Sequence, residues 1–523
     1  MNTTARTTIH TSARSVSWPS LDQLWAIATV TLLALRVQLT PIAPNDFWWH
    51  IATGRLIAQS GRVPLTDQFS YSQPGAAYFN QPWLAQLLMY GGYQLGGAAL
   101  LELLQAVLIG ASFGLLYAVC RREGAGPRVA TLATLAGALV AMDNWQIRPQ
   151  TYAVPLFIAT LAIVTAWRRG RRAPLWALPL IMLVWVNLHG TFTLLLALCG
   201  LSWAGVVGER LWRGRRLGAR GFAREADDLT VRSPAPDLRS LVSFTLWSGA
   251  ALLATAINPR GVAIWRYVFG LLSNRAVSQL VTEWASPIRD LASPMTIVFF
   301  VLLSIFAGVT AWRWRRLTLT DWLLIGPFLL LALQSVRNIL WFGIVVTPIA
   351  ARLLMTETPR RRPVEVALMN RLIAGLLALL LAATLPWWKE TIGLPPALGD
   401  LLGDQTPVAA TERLLALPQR PQRLFHEMGF GSYLIWAAPE QRIFVDPRIE
   451  LYPYQQWRDY ITLGQGKEID ELARRYGFDG WLVNPATQAD LLAALDRNPD
   501  WRRVFSTDEA VYFAPRLSAA LAR

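Results

Sequence analysis

Charge is scarce in this chain, lysine scarcer still, and cysteine almost missing. Only 16% of the 523 residues are Asp, Glu, Lys or Arg, and Lys389 and Lys467 are the only two lysines. Two cysteines exclude a disulfide scaffold. A hydrophobic content of 53%, with 24 Trp, excludes disorder. Soluble chains of this size rarely combine so few charges with so many large apolar residues. What charge exists is unbalanced, at a net of +15. Nucleic-acid binding is the usual inference from such a surplus, unless its distribution has another cause.

The distribution supplies one. Met1 to Lys389 carries 35 basic and 16 acidic residues, and Glu390 to Arg523 carries 14 and 18. A basic, apolar body is therefore followed by a mildly acidic tail. The body reads as apolar runs separated by short charged loops, and a helix needs about 20 apolar residues to cross the hydrocarbon core. Eleven spans are expected near 22–40, 98–120, 128–143, 150–167, 174–188, 191–209, 241–257, 294–312, 319–335, 337–355 and 369–387, the third and fifth being short. The first run lacks a small-residue cleavage site and reads as a span. With the N-terminus cytoplasmic, 25 of the body's 35 basic residues fall on inner loops, as the positive-inside rule requires. Eleven crossings then put residues 390–523 on the extracytoplasmic side, in the periplasm or its equivalent, with the body, 1–389, in the inner (plasma) membrane. Nucleic acid is no longer needed to explain the charge. Cys120 and Cys199 lie at different depths of opposed spans and are not expected to pair. The Arg-rich loop at 209–240 reads as a linker.

The first outer loop, residues 41–97, differs from the inner ones: it is long, aromatic and patterned, and long loops of this kind are usually functional. Asp46–Ala58 and Pro82–Leu95 read as juxtamembrane helices, the first with Trp48, Trp49 and Ile51 toward the membrane interface. Asp46 sits where the first span leaves the membrane, a costly place for a carboxylate without a partner or a task. On position alone, Asn45 or Asp46 as a helix N-cap is the favoured reading. A second carboxylate, Asp67, reads equally well as a turn residue.

A first span followed by an aspartate at its outer end and a loop of juxtamembrane helices resembles the GT-C superfamily of membrane glycosyltransferases. That superfamily includes the protein O-mannosyltransferases and the aminoarabinose and RgtA/B/C/D-like transferases. More narrowly, Asp46-Phe-Trp-Trp-His-Ile-Ala-Thr-Gly and Gly61-Arg-Val-Pro-Leu-Thr-Asp-Gln-Phe-Ser-Tyr are similar to a bacterial multi-pass group within it. The same holds for Trp185-x-Asn187-x-His189-Gly190, Asn258-Pro-x-Gly261, Ser335-Val-Arg-Asn, Gly429-Phe-Gly-Ser-Tyr-Leu-Ile-Trp and Phe444-Val-Asp-Pro-Arg. Two departures stand out: relatives often carry His or Glu where this chain has Gln81 and Gln86, and Asp-Glu where it has Asp46-Phe. The resemblance implies a sugar donor on a polyprenyl phosphate, a lipid or glycan acceptor, and inversion at the anomeric carbon. Such a reaction needs a carboxylate to take the acceptor's proton and cations to hold the departing phosphate.

On that basis Asp46 becomes the expected base and Asp67 the second catalytic carboxylate. Substrate-binding roles are expected for His50, one turn after Asp46, for His189, and for Glu283. Arginines on the outer side break the positive-inside rule, and Arg55, Arg148, Arg260 and Arg337 are expected to bind substrate. No cofactor is expected; a divalent metal on Asp46, His50 and His189 is the disfavoured alternative. Membrane lipids are the remaining expected partners.

The tail reads as a small α/β domain. Helices are expected at Ala409–Leu417, Glu468–Tyr476 and Gln488–Leu495. Strands are expected at Tyr433–Trp436, Arg442–Val445, Gly480–Val483, Arg503–Ser506 and Ala510–Ala514. It holds no nucleotide loop, zinc spacing or nucleophile elbow, and Asp446 with Arg448 reads as a local ion pair. The competing functional readings are a non-enzymatic membrane protein (transporter, flippase or degenerate subunit) and a ligase of lipid-linked glycans. A transporter would favour internal repeats, and none is evident.

Overall fold

The computed structural model describes residues 19–219, 236–355 and 366–516. Eight of the 25 basic residues expected on inner loops, Arg6, Arg14, Arg220, Arg224, Arg232, Arg360, Arg361 and Arg362, lie outside the described residues. The body consists of α1 (Leu21–Gln38), α2 (Pro44–Ser60), α3 (Trp83–Arg122), α4 (Pro127–Leu139), α5 (Pro149–Arg168), α6 (Ala177–Leu188) and α7 (Thr193–Ala219). After the gap follow α8 (Leu238–Ala254), α9 (Ala263–Leu272), α10 (Arg275–Leu280), α11 (Pro294–Trp312), α12 (Leu319–Gln334), α13 (Ile339–Leu353) and α14 (Ala367–Ala383). A helix stands at each of the eleven expected positions. Among the described residues, five stretches are long and apolar enough to cross a membrane, namely Trp83–Arg122, Pro149–Arg168, Gly190–Trp212, Pro294–Trp312 and Val336–Leu353. The chain is a helical membrane protein. One boundary shifts: α7 continues to Ala219, so the first third of the expected 209–240 linker is helix.

The core of the bundle is aromatic and aliphatic, with Phe157 packed edge-on against Trp185 and Trp341. Leu372, Leu376 and Leu379 of α14 are more than half exposed, a face suited to lipid. At one end of the bundle, buried Asp321 pairs with Arg168 at 2.6 Å and Arg352 at 2.5 Å, and Glu123 pairs with Arg169 at 2.6 Å. Three arginines of the expected inner set therefore hold helix ends together as well as marking a side.

At the other end of the bundle the two loop helices form as expected. Gly97 adopts φ 65° and breaks α3 there, a left-handed conformation that glycine takes without strain. The break separates the loop helix Trp83–Leu95 from the long apolar helix behind it. Gly54 lets α2 lie directly on that loop helix, since a Cβ at this position would stand 2.1 Å from the Gln86 carbonyl oxygen. The interface expectation for α2 is corrected: Trp48, Trp49 and Ile51 are buried in protein. Tail residues cover them. Trp48 packs on Tyr433 and Trp436, and the Trp49 N–H donates to Ser432 Oγ at 3.1 Å.

The tail carries the short α15 (Pro396–Gly399), then α16 (Val408–Leu415), β1 (Leu424–His426), α17 (Met428–Ala437), α18 (Tyr454–Gly464), α19 (Ile469–Tyr476), β2 (Gly480–Val483), α20 (Ala489–Arg497), β3 (Trp501–Ser506) and β4 (Val511–Pro515). The strands form one sheet in the order β1-β2-β4-β3, with β1 and β2 parallel and the other pairs antiparallel. Two strand expectations are corrected. Tyr433–Trp436 lies in α17, whose first turn is capped by Glu427 accepting from the Phe430 N–H. Arg442–Val445 pairs outside the sheet, through a bridge between Ile443 and Ser70 of the first loop. Loop and tail consequently share a core, in which Trp49, Ala52 and Tyr78 pack with Leu424, Phe430 and Leu434.

Candidate active site

Asp46 is not the cap of α2. Ala43 holds that position and Pro44 begins the helix, leaving Asp46 in the first turn, where the helix dipole favours a carboxylate. Its side chain is 28% exposed and meets Arg148 at 3.5 Å. Arg148 precedes α5 in extended backbone, and Pro149 opens that helix, so the guanidinium is set at the bundle's end. The same Nη1 donates to both oxygens of Glu283, at 2.7 and 2.9 Å. Burial opposes the charge on Arg148, but the Glu283 and Asp46 carboxylates outweigh it and hold its pKa above the usual arginine value. Among the described residues, Arg148 Nε finds no hydrogen-bond partner.

Beside this triad lies a second cation. Arg337 Nε donates to Gln150 Oε1 at 2.5 Å, and its Nη2 stands 3.1 Å from His189 Nε2. Because arginine only donates, the imidazole accepts there, and its Nδ1 faces the Thr191 hydroxyl at 2.9 Å. Burial, then the Arg337 and Arg148 charges, push His189 well below the ordinary histidine pKa. The ring is neutral. Among the described residues, no carboxylate forms an ion pair with Arg337.

His50 is likewise buried and neutral, its pKa lowered by burial and then by Arg148 and Arg448. Gln86, one of the two glutamines at which the chain departs from the resembled group, lies 3.1 Å from its Nδ1 and accepts from Asn80 at 2.7 Å. The other, Gln81, donates to the Val186 carbonyl at 2.8 Å. Both glutamines serve as positioning groups here. Among the described residues, no three His, Cys, Asp or Glu side chains stand together as a metal site.

The structure brings Asp46, Arg148, Glu283, Arg337 and His189 together, with His50 behind Asp46, and takes three expected residues elsewhere. Asp67 is buried against Arg448 at 2.7 Å and accepts from Ser70 Oγ at 2.7 Å. Arg448 also grips Asp446, at 2.5 Å. Asp67 therefore clamps loop to tail. Arg55 lies over the Trp436 ring at 4.4 Å and donates to the Ile435 and Trp436 carbonyls. It closes the end of α17. Arg260 donates to the Tyr78 carbonyl at 2.8 Å and lies over Phe79, so it fixes the loop. These contacts tie both arginines to loop and tail backbone.

Glu450, two residues beyond the Asp446–Arg448 pair, accepts from Tyr267 of α9 at 3.4 Å, and burial raises its pKa. Beyond Asp46 opens a cavity of about 180 Å³, walled by the end of α1, the start of α2, the Met142–Ile147 segment and Glu102 of α3.

No family model and no curated protein matches the chain. Solved structures do match. The arabinofuranosyltransferase AftD from Mycobacteria aligns at a TM-score of 0.51 and 15% identity, over 95% of this chain and 42% of its own. ArnT from Cupriavidus metallidurans, bound to undecaprenyl phosphate, aligns at 0.49 and 14% identity, over 94% and 98%. The archaeal oligosaccharyltransferase AglB from Archaeoglobus fulgidus, in complex with an inhibitory peptide and a dolichol-phosphate, aligns at 0.49 and 11% identity, over 96% and 75%. Identities this low speak to fold. Through the AftD likeness, the chain shares the fold of that arabinofuranosyltransferase over 95% of its own length.

Proposed function

We propose that the chain is a glycosyltransferase that moves a sugar from a polyprenyl-phosphate carrier to an extracytoplasmic lipid or glycan acceptor, with inversion. The observation that carries this reading is the meeting of Asp46 with Arg148, beside Arg337, at the end of the bundle where loop and tail close over the helices. A fold shared with an arabinofuranosyltransferase supports the transferase class. Asp46 takes the proton of an acceptor hydroxyl, whose oxygen attacks the anomeric carbon from the face opposite the phosphate. The bond from that carbon to the phosphate oxygen breaks, and the polyprenyl phosphate leaves with the electron pair. Arg148 and Arg337 neutralise the charge that grows on the leaving oxygen. His189, being neutral, orients Arg337 without quenching its charge. The eleven-span topology, with the tail outside the plasma membrane, belongs to the same proposal and rests on the arginine distribution.

Asp46→Asn tests the reading. Transfer of labelled sugar from a polyprenyl-phosphate donor in membranes is expected to fall about 10²–10⁴-fold, the usual contribution of a general base, with expression and detergent stability unchanged. Wild-type turnover in this variant overturns the assignment.

A further inference from the structure

Walls of mixed sign and one unsatisfied oxygen distinguish the cavity beside Asp46. Arg36 and Thr40 come from the end of α1, Asp46 from α2, Trp145 and Gln146 from the segment before α5, and Glu102 from α3. Glu102 is 1% exposed, and one of its oxygens is paired at 2.6 Å with Lys389, itself fully buried and also bonded to the Gln38 carbonyl at 2.7 Å. The other oxygen, Oε2, has no hydrogen-bond partner among the described residues. A buried carboxylate oxygen without a donor is costly, so such a group points to a donor supplied by something else.

The charges decide what that something is. Both carboxylates in the wall are already paired, Asp46 with Arg148 and Glu102 with Lys389, and the cation in the wall, Arg36, bonds to Thr40. A phosphate entering it would meet the Asp46 carboxylate and the free Glu102 oxygen; a cation would meet Arg36 and find both carboxylates already paired. A neutral hydroxyl group suits the site, since it gives its proton to Glu102 Oε2 and takes a hydrogen bond from the Gln146 amide. At about 180 Å³, the space equals the liquid volume of about six waters, the scale of one sugar ring. Trp145 adds an aromatic wall.

We infer that this cavity binds the terminal, uncharged sugar ring of the acceptor, with Glu102 as a hydroxyl-binding residue and Asp46 at its open edge. The inference rests on the transferase reading and adds to it the acceptor's chemical class and its route, between α1 and the Met142–Ile147 segment, away from the Arg337 side. Nothing in the sequence pattern marked Glu102, because its partner Lys389 lies at the far end of the body.

Purified full-length protein in detergent, titrated with neutral methyl glycosides of hexoses and pentoses and followed by saturation-transfer NMR, tests the site. At least one glycoside is expected to bind, and Glu102→Gln is expected to weaken it about tenfold or more, the range for a lost hydrogen bond to a charged group. Thr40→Trp, which plugs the mouth without touching the Lys389 pair, is expected to abolish it. Undecaprenyl phosphate binding should be unchanged in both variants. The inference is overturned if no glycoside binds, if Thr40→Trp leaves binding intact, or if methyl phosphate displaces the glycoside. Failure of the wild-type protein to bind undecaprenyl phosphate would instead strike the transferase reading, so the two failures are distinguishable.

Discussion

At the scale of single residues, the site divides its cations by what they face. Arg148 is spent on two carboxylates, whereas Arg337 is held by an amide and a neutral imidazole. The charge of Arg337 is thus the less compensated one, and the donor phosphate is the group expected to meet it. Arg337→Gln keeps a donor but removes the charge. Its expected effect is a loss of about 10²–10³-fold in kcat, the range for one preorganised electrostatic contact, measured as sugar transfer in membranes. An equal loss in Arg260→Gln would argue that both act only through structure, since Arg260 is tied to the Tyr78 carbonyl. Sequence alone separated these arginines poorly. All four outer candidates break the positive-inside rule, but the rule reports only which side a residue is on. Asp67 is hard to read for a related reason. Its partner Arg448 sits in the tail, and no local pattern announces a partner so distant in the chain.

Single elements show where local pattern suffices and where packing overrides it. The long apolar helices were legible because twenty apolar residues in a row admit few other structures. The break between the loop helix and the span in α3 was legible from Gly96-Gly97. Tyr-Leu-Ile-Trp at 433–436 has the composition of a strand, but Glu427 caps a helix ahead of it and Gly429 and Gly431 let that helix approach its neighbours closely. A Cβ on Gly429 would lie 2.6 Å from Asn45 Oδ1, and one on Gly431 2.3 Å from the Val445 carbonyl oxygen. Tertiary contact decided the element. The same logic makes Gly54 the most demanding position in α2. Gly54→Ala must push α2 from the Gln86 carbonyl, at a cost of about 1–3 kcal/mol for an overpacked contact, and it shifts the helix that carries Asp46 and His50. Reduced thermal stability in detergent together with reduced transfer is expected; a Gly54→Ala protein with unaltered melting would show that α2 does not pack this way.

Across the whole molecule, the tail works as a clamp on the loop that carries Asp46. Three attachments make the clamp: α17 on α2, the Asp67–Arg448–Asp446 cluster, and the bridge from Ser70 to Ile443. His426 ties the third to the sheet. It ends β1, and its Nε2 accepts from the Phe444 N–H at 2.9 Å while Nδ1 faces the Glu427 carbonyl at 2.8 Å. That pattern needs a neutral ring with its proton on Nδ1, and burial accordingly pushes the pKa down to about 4. Protonating Nε2 would set a donor against the Phe444 N–H. The sign of the pH effect follows. Above the unfolded histidine value of about 6.5 both states are neutral, and the contribution is fully present. As the pH falls from about 6.5 to 4, the unfolded ring takes a proton that the folded ring refuses, so stability drops through this window by about 3 kcal/mol in all. Thermal melts of the detergent-solubilised protein at pH 7.5, 6.5, 5.5 and 4.5 should therefore show a falling midpoint. His426→Gln, uncharged at every pH in that range, should start lower and flatten the slope. A wild-type slope unchanged in His426→Gln would assign the acid sensitivity to other groups and leave the clamp without its titrating joint.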